Sequence, residues 1–81
     1  MRIIINGDDK EVREGVTVAE LISELDLKPE RVAIELNRKI LSRSEWPGAG
    51  LAAGDKVEIV HFVGGGMPTT IADSTLYAGN G

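Results

Sequence analysis

The sequence predicts an α+β domain: a mixed four- to five-stranded sheet with one main helix, in the order ββαββ. Three observations carry that expectation. Short apolar runs with period two stand on either side of the middle of the chain. A Ser/Thr-x-x-Glu capping box at Thr17 opens the one stretch of helical periodicity. The longest run, Asp55 to Val63, is apolar on both faces. The 81 residues leave room for one small core and no second. Phe, Trp and Tyr number one each, so that core must be aliphatic.

Arg2 to Asn6 is a short apolar run, followed by the turn residues Gly7, Asp8 and Asp9 and a second run, Lys10 to Glu14. Such a pair reads as a β-hairpin, with Ile3 and Ile5 on one face and Val12 opposite them. Thr17 and Glu20 form the capping box, and Val18, Leu21, Ile22 and Leu25 recur at helical spacing until Pro29 forbids continuation. Val32, Ile34 and Leu36 alternate within a strand from Arg31 to Leu36. Asn37, Arg38 and Lys39 then turn into a brief strand around Ile40 and Leu41. Ser42 to Gly54 holds Trp46, Pro47, Gly48, Gly50 and Gly54, the composition of a surface connection, with one short helical turn near Leu51 to Ala53. Trp46 is expected to cap an end of the core. In the last strand Val57, Ile59 and Val63 fall in one register and Val60 and Phe62 in the other, the pattern of a central strand or of one that faces a partner. The most compact un-knotted arrangement sets this last strand beside the first. That is the β-grasp, or ubiquitin-like, fold.

Composition removes several chemistries. With no Cys there is no disulfide, thiolate metal site, iron–sulfur cluster or Cys nucleophile. Nine basic residues against 13 acidic ones give a net charge of −4, so no nucleic-acid partner is expected. No segment approaches the ~20 apolar residues of a membrane span, and the apolar run after Met1 stops short of a signal peptide, so no membrane partner is expected and the compartment is cytoplasmic. His61 with scattered carboxylates is not a metal site.

Five of the 10 glycines lie from residue 64 onward, and Gly64, Gly65 and Gly66 are consecutive after the last strand. Taken alone they suit a flexible linker, and no phosphate-loop pattern surrounds them. In context the end His61-Phe62-Val63-Gly64-Gly65-Gly66 closely resembles the sulfur carrier protein of thiamine (thiazole) biosynthesis. The resemblance covers Met1 to Gly66 and includes Asn6-Gly7, Thr17-Val18 with Leu21 and Leu25, Asn37, Ile40, Arg43 with Trp46, and Gly54-Asp55.

The resemblance implies a carrier rather than an enzyme. An adenylating enzyme of the ubiquitin-activating type uses ATP to join the terminal glycine carboxylate to AMP. A persulfide sulfur donor converts the product to a thiocarboxylate, and thiazole synthase receives the sulfur. Gly66, with Gly65 and Gly64 leading to it, is the implied terminus, and the chain itself holds no cofactor. Glycine suits a tail that must thread a narrow channel. Val60, Phe62 and Val63, with Ile4 contiguous from the neighbouring strand, are expected either to dock the activating enzyme or to pack beneath a loop. Arg43 and Trp46 carry over as structural or interface residues.

The family ends at the diglycine, whereas here Met67 to Gly81 adds 15 residues, so Gly66 carries a peptide bond. As written the chain is inactive as a carrier. Residues 67–81 are expected to be disordered, and they read as a precursor tail cut after Gly66, a fusion remnant similar around Ile71-Ala72-Asp73 to the start of thiazole synthase, or an artefact. Within the class the rival is the molybdopterin synthase small-subunit type, whose paired prolines before the diglycine are absent. Outside it stands a β-grasp binding module that undergoes no modification.

Overall fold

A computed structural model of the chain describes residues 1–63 and 67–70. The strands β1 (Arg2–Ile5) and β2 (Asp8–Glu11) form an antiparallel hairpin in which Ile3 pairs with Lys10 and Ile5 with Asp8. Asn6 and Gly7 alone make the turn, at φ 49° and 87°. Positive φ at both central residues gives the turn a twist that matches the strands it joins. Sequence reasoning placed the second strand at Lys10–Glu14, opposite Ile3 and Ile5. A two-residue turn instead brings Asp8 straight into pairing, and Val12 lies just past β2, half-buried against the core.

Helix α1 (Val18–Glu24) starts as expected. The Thr17 hydroxyl accepts from the Glu20 amide at 3.1 Å, and the Glu20 carboxylate accepts from the Thr17 amide at 3.0 Å. It ends before Pro29 has any influence. The Asp26 amide donates to the Ser23 carbonyl and the Leu27 amide to the Ile22 carbonyl, with Asp26 at φ 59°. This is a Schellman closure, with Asp in the left-handed position that glycine usually takes. Arg13 reaches across to both Glu20 and Glu24 on the exposed side of the helix.

β3 (Val32–Leu36) and β4 (Lys39–Leu41) form a second hairpin, again turned by two residues with positive φ, Asn37 at 49° and Arg38 at 72°. The expected helical turn at Leu51–Ala53 is absent; the helical segment of that connection is a 3-10 helix at Arg43–Gly48. A second Ser-x-x-Glu box opens it, with the Glu45 carboxylate accepting from the Ser42 amide at 2.8 Å. Trp46 sits in this helix, 4% exposed, and its indole N–H donates to the Leu41 carbonyl at 3.3 Å.

β5 (Lys56–Val63) runs through the middle of the sheet, whose order is β2-β1-β5-β3-β4. It lies parallel to β1, with Ile4 beside Lys56 and Ile5 beside Val57, and antiparallel to β3. The expected return of the last long strand to the first is therefore present, and the fold is the β-grasp. Ile3, Ile5, Val32, Ile34, Val57 and Ile59 line the inner face, and α1 covers them with Val18, Leu21 and Ile22. The core is aliphatic apart from Trp46.

Met67–Thr70 was expected to be disordered. It is instead a strand, β6, antiparallel to β5 with Val63 opposite Met67, Phe62 opposite Pro68, His61 opposite Thr69 and Val60 opposite Thr70. The reason lies in β1, which pairs with β5 only at Lys56 and Val57 and leaves the rest of that edge open. Asn6 extends the ladder by one position: its side chain accepts from the Ile59 amide at 2.7 Å and donates to the Ile59 carbonyl at 3.1 Å. β6 takes the edge beyond. Gly64–Gly66 and residues 71–81 lie outside the described residues.

Candidate docking face and carrier tail

The sheet has one face under α1 and one that the helix leaves uncovered. Side chains alternate along a strand, so β5 turns Val57 and Ile59 inward and Glu58, Val60 and Phe62 outward. Phe62 is 37% exposed and Val60 is half-buried. On β3 the outward residues are Ala33 and Glu35, and on β4 it is Ile40, 79% exposed. Val60 stands directly opposite Ala33, and Glu35 lies between Glu58 and Ile40. Because Ala33 is small, a shallow groove forms there between Val60 and Ile40, with Glu35 and Glu58 at one end. Arg38 and Lys56 adjoin the same two carboxylates from the other side.

The structure thus brings Val60 and Phe62 onto one open face. Ile4 shares the face but not the patch: it lies beside Lys56, four strand positions from Val60, or about 13 Å at the usual rise per residue. Its expected contiguity is corrected accordingly. Ile40 enters in its place, a residue that the sequence places in the brief strand and in the resemblance but not on the docking face. The signal was there, since Leu41 packs against the core and its strand neighbour must point the other way. Val63 ends β5, and Gly64, Gly65 and Gly66 fall outside the described residues.

Glu35 and Glu58 are a like-charged pair placed directly opposite each other, an arrangement that costs stability on exposed strands. Among the described residues, the carboxyls held below their usual value are elsewhere. The backbone amide of Thr17 lowers Glu20, that of Ser42 lowers Glu45, and the N-terminal ammonium lowers Glu11, which it meets at 2.9 Å. These are structural caps and ties. His61 pairs with Val32 on β3 and borders a depression with Asp26, Leu27, Lys28 and Arg31. Among the described residues no three His, Cys, Asp or Glu side chains converge as metal ligands. No helix among them is long and apolar enough to cross a membrane. Among the described residues, the open face gathers the apolar side chains of Val60, Phe62 and Ile40 and no acid–base or nucleophilic constellation.

The model of the ThiS family matches residues 3–66. A thiazole synthase of Magnetococcus marinus is 38% identical over 79 residues, covering 98% of this chain and 24% of that protein. The chain therefore spans about a quarter of the length of that relative. The sulfur carrier protein ThiS of Bacillus subtilis is 35% identical over 63 residues, 76% of this chain and 96% of the carrier. The crystal structure of the thiamine biosynthesis protein ThiS from Geobacter metallireducens superposes with a TM-score of 0.71 at 36% identity, over 82% of this chain and all of that one.

Proposed function

Given that the chain belongs to the ThiS family, sulfur carriers of thiamine biosynthesis, we propose that Gly66 is the residue on which the sulfur travels. The observation that carries this is the family match itself, which runs through the fold and stops on Gly66. The chemistry requires a free carboxylate there, so the Gly66–Met67 bond is first hydrolysed. An adenylating enzyme then joins the carboxylate to AMP with loss of pyrophosphate from ATP. A free carboxylate is a poor electrophile, whereas the mixed anhydride gives the attacking sulfur a good leaving group. The terminal sulfur of a persulfide displaces AMP, and a thiol cleaves the resulting acyl disulfide to leave the thiocarboxylate. The chain contributes its tail as co-substrate and its open face, Val60, Phe62 and Ile40, as the surface that docks the activating enzyme. On this reading the carrier works in the cytoplasm, where its activating partner draws on ATP.

Thiazole synthase is the acceptor this reading names. The alignment with the Magnetococcus marinus protein supports it, because 79 of 81 residues are matched and at most two fall outside. The likeness therefore continues past Gly66 into the extension. That favours a junction between carrier and synthase over an artefact as the account of residues 67–81.

The test takes the chain ending at Gly66, supplies adenylating enzyme, ATP and a persulfide donor, and weighs the intact product. Replacement of one oxygen by sulfur on the C-terminal peptide is expected. An unchanged mass, with an enzyme shown competent on another carrier, would refute the carrier reading and leave the unmodified binding module.

A further inference from the structure

The edge of β5 beyond Ile59 carries a consequence for the uncut chain. Ile4 donates to the Asp55 carbonyl, Asn6 to the Val57 carbonyl, and Ile59 to the Asn6 side chain, so the odd-numbered residues of β5 direct their backbone groups toward β1. Lys56 instead donates to the Asn37 side chain, on the β3 side. By alternation His61 and Val63 aim at the edge that β6 occupies, and they stand opposite Thr69 and Met67. Pro68 falls opposite Phe62, at the position between hydrogen-bonded pairs. Its missing N–H therefore removes no ladder bond, and β6 accepts a proline without loss of pairing to β5.

We propose that this edge is a strand-docking surface and that Met67–Thr70 fills it in cis, so that β6 must leave the edge before the chain can extend straight on from Val63. A hydrogen-bonded antiparallel pair sets Val63 and Met67 about 5.5 Å apart between Cα atoms. An extended tail would carry Met67 about 13 Å from Val63. The two arrangements exclude each other. A partner that draws Gly64–Gly66 through a channel must first displace β6, and the uncut chain competes with that partner through its own strand. The strand pairing stands by itself, while its effect on the partner rests on the carrier reading.

Three proteins test this: the full chain, its Thr69→Pro variant, and the chain ending at Gly66. The last folds without the extension, since the Geobacter metallireducens chain is matched over its whole length by 82% of this one. Proline at residue 69 removes a ladder donor, which proline at residue 68 does not. Amide exchange followed by NMR should show His61 and Val63 protected about tenfold more in the full chain than in the other two, with Val60, bonded toward β3, unchanged. Equal rates at His61 and Val63 in all three overturn the docking. For the covering role, binding to an adenylating enzyme of the ubiquitin-activating type is compared between the full chain and Thr69→Pro. Both keep the Gly66–Met67 bond and neither can be adenylated there, so the comparison is independent of the sulfur chemistry. Tighter binding by the variant is expected; equal binding overturns the role while leaving the mass assay on the shortened chain to stand or fall alone.

Discussion

Asn6 gives the sharpest test of how the sheet is held. As a turn residue it could be exchanged for glycine at small cost, because its φ of 49° is one that glycine adopts freely. As a cross-strand tie it could not. It is 6% exposed, and its amide satisfies both backbone groups of Ile59, which is fully buried. Removing a partner from a buried N–H or C=O costs roughly 1–3 kcal/mol each, so Asn6→Gly should lose about 2–6 kcal/mol. Asn6→Ala adds about 1–2 kcal/mol for a left-handed backbone without glycine's freedom or asparagine's local bonding. A domain of this size commonly has only about 3–10 kcal/mol in total. The glycine variant is thus the tractable one, and urea denaturation should show its midpoint fall with the m-value retained. The Ile59 amide should also exchange faster. A loss below about 1 kcal/mol for Asn6→Gly, with Ile59 still protected, would refute the tie and return Asn6 to the role of a turn residue.

Three other outcomes follow from the same structure. Glu35→Lys replaces the facing carboxylates with an opposite-charge pair and should stabilise the chain by about 0.2–1 kcal/mol, seen as a higher thermal midpoint. Phe62→Ala leaves the core intact, since the ring is already more than a third exposed; it should weaken binding to the adenylating enzyme while changing the thermal midpoint little, and an unchanged affinity would remove Phe62 from the docking face. Glu11, Glu20 and Glu45 have lowered pKa values when folded, so the unfolded chain takes up protons first as pH drops. Their contribution is present above the ordinary value of 4.5 and is lost as pH falls through the lower folded values. Glu20→Gln, which keeps an acceptor for the Thr17 amide but no charge, should flatten that decline in an acid titration of the thermal midpoint.

What the sequence discloses depends on whether a residue's role is local. The capping box of Thr17 and Glu20 is complete within four residues, and both α1 and its start were readable. Apolar side chains on both faces marked β5 as a central strand or one that faces a partner; it is central in the sheet, and its second apolar register, Val60 and Phe62, lies on the face that α1 leaves open. β2 was misplaced because it has no apolar residue at all: Asp8, Asp9, Lys10 and Glu11 are all exposed, and only the turn geometry marks them as a strand. Charged residues on such a strand keep the sheet edge from pairing with another chain. The box at Ser42 and Glu45 has the same pattern as the one at Thr17 and went unread, because Pro47, Gly48 and Gly50 mark the segment as a surface connection. β6 could not be read from Met-Pro-Thr-Thr, since its pairing comes from an edge left open 60 residues earlier by the short β1. On the docking face, Val60 and Phe62 follow from alternation alone. The separation of Ile4 from them depends on the parallel register, which no local pattern encodes.

The hold on Asn6 also bears on how the protein ages. Asparagine followed by glycine is the step at which the next backbone nitrogen most readily attacks the side-chain carbonyl and expels ammonia, because glycine leaves that nitrogen unhindered. In the folded chain the Asn6 amide is fastened across the sheet to Ile59 through both its oxygen and its nitrogen. The reaction therefore waits for the hairpin to open. Each event leaves an acid where the Ile59 carbonyl needs a donor, so the damaged molecule does not close again as tightly. Asn80-Gly81 repeats the same step, so the readout is the Asn6 peptide alone: its slow deamidation in a stored sample counts openings of β1 from β5 and makes this one site a clock for its own hairpin.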